Sequence, residues 1–234
     1  RCTLNAVGCT FSSSDSLGAR LLGGGGTIRG SFFTGNALGG LVCRDGAAHQ
    51  IIACTASESP VGHGVACYRL ANVTIDSCTV ALNAGHGILV KNSSPVLKRS
   101  TISDNAQCGM RCMKTAYPSV TACSILRNAV GVYAEPGSNP NLGDEMHPQI
   151  GYNWIEMNEI AAVANYNSIS TPIQARRNWW GSAPPDPGIF IGRVVCDPWL
   201  VSSPMDMAET GVDEDLPPGF ELGQHFENPL HRMP

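Results

Sequence analysis

NVTIDSCTVALNAGHGILVKNSS, residues 72–94, carries two short runs in which side chains alternate. Ile75, Cys78 and Val80 interleave with Asp76 and Thr79, and Ile88 and Val90 interleave with Leu89 and Lys91. A period of two puts successive side chains on opposite faces of a strand, whereas a helix would need a period of 3.6. The GHG at 85–87 also repeats a GHG at 62–64, 23 residues earlier. The segments 26–48, 49–71, 95–117 and 118–140 fall into the same 23-residue frame. Self-similarity at this period marks a stack of units, none of which can bury its own apolar face alone.

The columns of this frame define an expected core. One runs Ile28, Ile51, Ile75, Leu97, Val120, Ile150 and Ile173, and the next strand contributes Leu41, Val65, Ile88, Met110 and Val132. Asn36, Asn83, Asn105, Asn128 and Asn158 recur at the turn between them, where an inward amide can bond backbone groups of neighbouring coils. Gly40, Gly64, Gly87, Gly109 and Gly131 mark a place that needs room or a positive φ. Between Tyr133 and Ile150 one coil is longer by about seven residues, which predicts a projecting loop.

Composition agrees. Of 234 residues, 43% are hydrophobic, enough to fill a large core, and 26 Gly with 16 Pro suit a chain of turns and strands. Only 15% are charged and the net charge is −4, so no footprint for nucleic acid is expected. No apolar run approaches the ~20 residues of a membrane span. Cys9, Cys54, Cys78 and Cys123 share one column with Ser31 and Ser100, while Cys43, Cys67 and Cys112 share another. They read as small buried hydrophobes stacked as free thiols. On that reading, Cys78→Ser costs about 1 to 3 kcal/mol, by burying a hydroxyl with little to bond.

This pattern, of the type I-x-x-C-T-I-x-x-N-x-x-G-I over residues 2 to 204, resembles the right-handed parallel β-helix repeat family, which includes pectate-lyase-like proteins. The stretch RNWWGSAPPDPGIFIGRVVCDPWLVSSP at 177–204 is similar to an NWWG to PWL ending of secreted and surface β-helix proteins. The resemblance implies an all-β solenoid of about 7–8 coils over residues 1–204, with Trp179, Trp180 and Trp199 capping its open end. It also implies an extracellular or cell-surface location, with the cytoplasm as the alternative that many free thiols would suit.

His63 and His86 share one column with Gly39 before them and Cys108 and Val130 after them, so they read as turn positions and not as a catalytic pair. Polygalacturonases of similar fold combine GHG with an Asp-Asp pair and R-x-K, because inverting hydrolysis needs an acid and a separate base. This chain has neither motif. A lyase would need a base beside acids, for which Asp76, Lys98 and Arg29 form a candidate outward column that reads better as a ladder of charges. In QCGMRCMK, residues 107–114, Met110 and Cys112 face inward while Cys108 sits at the turn, so no metal site, and no cofactor, is expected. Thr10, Thr55, Thr79, Thr101 and Ser124 form a ladder that strand propensity accounts for.

The outward face of the second strand carries Tyr68, Lys91, Arg111, Met113 and Tyr133. Aromatic faces beside cations suit sugar rings and carboxylates, so Tyr68, Lys91, Arg111 and Tyr133 are the glycan-binding candidates. The leading expectation is a non-catalytic structural or polysaccharide-binding module, and its rival is a polysaccharide lyase, epimerase or hydrolase. Residues 205–234 form an acidic, Pro-containing tail, expected to dock through Phe220 and Phe226 on its own coil or on a partner chain.

Overall fold

The computed structural model describes residues 3–204; the tail at 205–234, with Phe220 and Phe226, lies outside the described residues. The chain winds as a parallel solenoid with three faces. Sheet 1 stacks Thr3–Val7, Gly25–Arg29, Ala48–Ile52, Thr74–Asp76, Val96–Lys98 and Ser119–Thr121. Sheet 2 stacks seven three-residue strands from Thr10–Ser12 to Trp154–Glu156. Sheet 3 stacks eight, from Leu17–Leu22 to Phe190–Ile191, which count the turns. Every pairing joins a strand to its counterpart one coil away, as at Thr79 with Thr55 and Thr101.

The corners explain why the strands are so short. Between sheets 1 and 2 the backbone passes through positive φ at Ala53 (51°), Ser77 (54°), Arg99 (45°) and Ala122 (54°). Such residues cost about 1 kcal/mol or more each. Each one is held by its own N–H, which donates to the next coil: Ala53 to the Asp76 carbonyl (2.9 Å) and Ser77 to that of Lys98 (3.0 Å).

The next residue at this corner is the Cys/Ser column, and the structure corrects its reading as merely hydrophobic. Cys9 N–H donates to Ser31 Oγ (3.1 Å), Ser31 N–H to Cys54 Sγ (3.5 Å), Cys54 N–H to Cys78 Sγ (3.4 Å) and Cys78 N–H to Ser100 Oγ (3.1 Å). The same role passes to Asn153 and then Asn178, accepting from Cys123 and Asn153 at 2.9 Å. Each side chain is an acceptor for a buried N–H that would otherwise be orphaned. Cys78 Sγ in turn donates to the Ile51 and Asp76 carbonyls at 3.3 Å. A serine hydroxyl has the same partners ready, so the expected cost of Cys78→Ser falls below about 1 kcal/mol. Urea unfolding checks this, and a loss above 2 kcal/mol would show that sulfur packing dominates the column. All nine cysteines among the described residues are unpaired.

The core columns run as the frame requires, with Leu41 on Val65, Val65 on Ile88, Ile88 on Met110 and Met110 on Val132. Ile150 is the exception. It is partly exposed, and fully buried Leu142 takes the place above Val120. The reason is where the insertion sits: Ser119 pairs with Asn141 and Thr121 with Gly151, so residues 143–150 leave the coil and return to it. Arg177 anchors the loop, donating to the carbonyls of Asp144 and Ile150 (3.0 Å). At Gly87 an added Cβ would lie 2.7 Å from Ile102 Cγ2 and 2.8 Å from Asn105 Nδ2, so this column needs room, not positive φ.

The C-terminal cap divides differently from expectation. Trp180 is buried in the main core and meets Phe190 edge-on at 4.9 Å, with Trp199 packed against the same core. Trp179 instead packs with Tyr152 and Leu200 on the flank and donates Nε1–H to Glu156 (3.0 Å).

Candidate functional site

Sheet 3 turns two adjacent columns outward. In one, Arg44 pairs with Tyr68, Tyr68 with Lys91 and Lys91 with Met113. In the other, Arg20, Val42, Ala66, Leu89, Arg111 and Tyr133 follow in register. The four glycan-binding candidates therefore share a face, but as two pairs. Tyr68 and Lys91 are neighbours on the N-terminal side. Arg111 and Tyr133 are neighbours further on, with the guanidinium 5.3 Å from the ring centroid and Tyr166 stacked on Tyr133 at 4.9 Å.

Arg111 is not a free cation. Its Nε donates to Glu135 Oε1 (3.1 Å) and Nη1 lies 3.4 Å from His86 Nε2. Glu135 was not a sequence candidate, since it lies two residues beyond Tyr133 in a segment that reads as the start of the insertion. Neither was Arg20, which precedes the regular 23-residue frame, nor Arg44, whose place beside Tyr68 depends on register across coils.

The two histidines stack one coil apart, ring centroids 4.9 Å and planes 13° apart, at matching positions of consecutive turns. His86 N–H donates to His63 Nδ1 (3.0 Å), and Cys108 N–H donates to His86 Nδ1 (3.2 Å). The hydrogen-bond network thereby assigns the tautomer: in a neutral imidazole the other nitrogen must carry the proton. Both rings are held neutral. Burial, then His63 and then Arg111 push His86 down to about 3, and burial with Arg111 lowers His63. A ring whose single lone pair is taken by a buried backbone N–H is a donor, not a general base.

His63 then lines a hollow of about 300 Å³ with Arg20, Arg44 and Tyr68 over a floor of Val42 and Ala66. Arg44 also holds Asp45 at 2.9 Å, and among the described residues no carboxylate engages Arg20 or Lys91. The hollow presents N–H donors and cations on an apolar floor beside a tyrosine ring. Cations and N–H donors of this kind are suited to hydrogen-bonding a planar anion.

The architecture and the comparison agree. The family model for right-handed β-helix regions matches residues 1–167, most of the chain. The chain belongs to the right-handed β-helix family. No curated protein and no solved structure matches it. This β-helix also corrects one charge reading: Asp76 is ion-paired to Arg99, not to Lys98, which is its backbone neighbour on sheet 1. Met110 and Cys112 are fully buried while Cys108 joins a separate outer cluster with Val130 and Ala161, so the sulfurs of this β-helix diverge as expected. Among the described residues, no helix is long and apolar enough to cross a membrane.

Proposed function

We propose that this β-helix is a non-catalytic module that binds an acidic polysaccharide on the outward face of sheet 3. One observation carries the reading: the hollow where Arg20, Arg44, His63 and Tyr68 meet. A carboxylate on a sugar ring placed there meets cations and a ring N–H, while the pyranose lies over Ala66 and Tyr68. A location outside the cell or on its surface rests on the resemblance of the 177–204 ending alone.

A polysaccharide-active enzyme is the second reading, and the convergence of His63, His86, Arg111 and Glu135 favours it. The proton inventory argues the other way. Both imidazoles spend their lone pair on backbone N–H groups, and Glu135 is ion-paired to Arg111.

The test is calorimetric titration of the chain with an oligogalacturonate and with its methyl ester. The acid is expected to bind, the ester at least tenfold more weakly, and Arg20→Ala/Arg44→Ala to lose the acid by at least tenfold. Equal affinity for acid and ester would remove the carboxylate from the argument, and chain cleavage during the titration would establish the enzyme.

A further inference from the structure

On a different flank, at the corner between sheets 2 and 3, an open groove of about 740 Å³ runs along the axis. One wall is the column Glu58, Leu82, Asp104, Arg127 and Met157, whose positive φ values (59°, 59°, 57°, 53° and 55°) splay the side chains outward. The other wall is low, made of Pro60, Ala84, Ala106 and Ala129, and closed by Glu159. The buried asparagine ladder forms the floor, except where Ser59 takes the asparagine's place. The ladder breaks there, and the Ser59 hydroxyl, 1% exposed, has no hydrogen-bond partner among the described residues.

The lining chemistry is specific. Leu82 and Met157, 58% and 57% exposed, are the large apolar side chains of the lining. Arg127 is committed to Asp104 through two bonds of 2.7 and 2.9 Å. Glu58 and Glu159, at opposite ends, have no ion-pair partner among the described residues, so three acids against one base leave the lining at −2. It contains no aromatic ring on which a sugar could stack, and its charge repels an acidic glycan.

We propose that this groove takes an extended basic peptide segment of a partner protein, lying parallel to the solenoid axis. Spacing defines the segment. Coils rise about 4.8 Å each, so Glu58 and Glu159, four coils apart, are separated by about 19 Å, and Leu82 and Met157, three coils apart, by about 14 Å. At about 3.3 Å per residue, with side chains alternating between the two walls, a strand whose first residue meets Glu58 presents its third to Leu82, its seventh to Met157 and, on the opposite wall, its sixth to Glu159, so the basic residues stand five positions apart and the apolar ones four. The low alanine wall admits the peptide backbone, and charge complementarity at both ends sets its register.

The probe is the fluorescein-labelled peptide Lys-Thr-Leu-Thr-Thr-Lys-Leu, titrated with the full chain by fluorescence anisotropy. Saturable binding is expected, weakened at least tenfold in 0.5 M salt and undetectable when both lysines are replaced by glutamate. Glu58→Lys/Glu159→Lys is expected to weaken it at least tenfold and Ala106→Arg, which fills the groove, to abolish it, while Arg20→Ala/Arg44→Ala leaves it unchanged. Absence of saturable binding, or equal binding of the lysine and glutamate peptides by the unaltered chain, would overturn the proposal. So would undiminished binding by Ala106→Arg with an unchanged circular-dichroism spectrum.

Discussion

Asn105→Leu is expected to destabilise the solenoid by about 3 to 5 kcal/mol. The Asn105 amide Nδ2 donates to the Val80 and Ser103 carbonyls (3.2 and 3.0 Å) and to Asn128 Oδ1 (3.0 Å). Its Oδ1 accepts from the Asn83 backbone N–H (3.2 Å) and from Asn83 Nδ2 (2.9 Å). Leucine satisfies none of these. It leaves the buried Asn83 N–H without its acceptor and takes an amide donor from the Val80 carbonyl, at about 1 to 3 kcal/mol for each group left unpaired, and removes one of the two donors to the Ser103 carbonyl, against about 2 kcal/mol gained from its apolar surface. It also crowds Gly87, where the amide already stands 2.8 Å from the Cβ position. The urea midpoint of the variant reads the effect directly, and a loss below 1 kcal/mol would mean that the ladder is decorative. Asn105→Ser, which copies Ser59, is expected to lose less than Asn105→Leu.

Acid is the second large effect. In the folded chain His86 is held at about 3, whereas an unfolded histidine titrates near 6.5. The unfolded state therefore takes up a proton first as the pH falls, so stability from the neutral ring is complete above pH 6.5 and declines continuously from there toward pH 3. The groups facing the ring, His63 and Arg111, are respectively also lowered and cationic, so neither relieves the penalty. After allowance for solvent at the ring edge, the loss between pH 7 and pH 4 is on the order of 2 to 3 kcal/mol from this residue. Carboxylates titrate in the same window, so the measurement is the difference between the unaltered chain and His86→Asn, by urea unfolding at pH 7, 5.5 and 4. Parallel acid profiles for the two would contradict a buried neutral imidazole.

Residues 26 to 140 state the solenoid openly because one physical constraint repeats every 23 residues. Each coil must offer the same apolar residues to the coils above and below, so Ile75 and Ile88 are predictable from Ile51 and Val65. Polar positions that serve every coil alike, such as Asn83 and Asn105, become visible in the same way. Where a coil departs from the period, alignment of columns fails: Leu142 and not Ile150 lies above Val120, because only the pairings of Asn141 and Gly151 show which residues of the insertion leave the stack.

The candidate site was half legible. Tyr68, Lys91, Arg111 and Tyr133 could be placed on one face from strand alternation, since alternation decides which way a side chain points. Their separation into two pairs depended on register across coils. So did the binding of Arg111 by Glu135, the hollow shared by Arg20, Arg44 and His63, and the ion pair of Asp76 with Arg99. The histidines show the division most plainly. Their equivalence is written in the repeat, but their chemistry depends on a backbone N–H of the following coil reaching Nδ1, and no spacing along the chain encodes which lone pair a neighbouring turn will occupy.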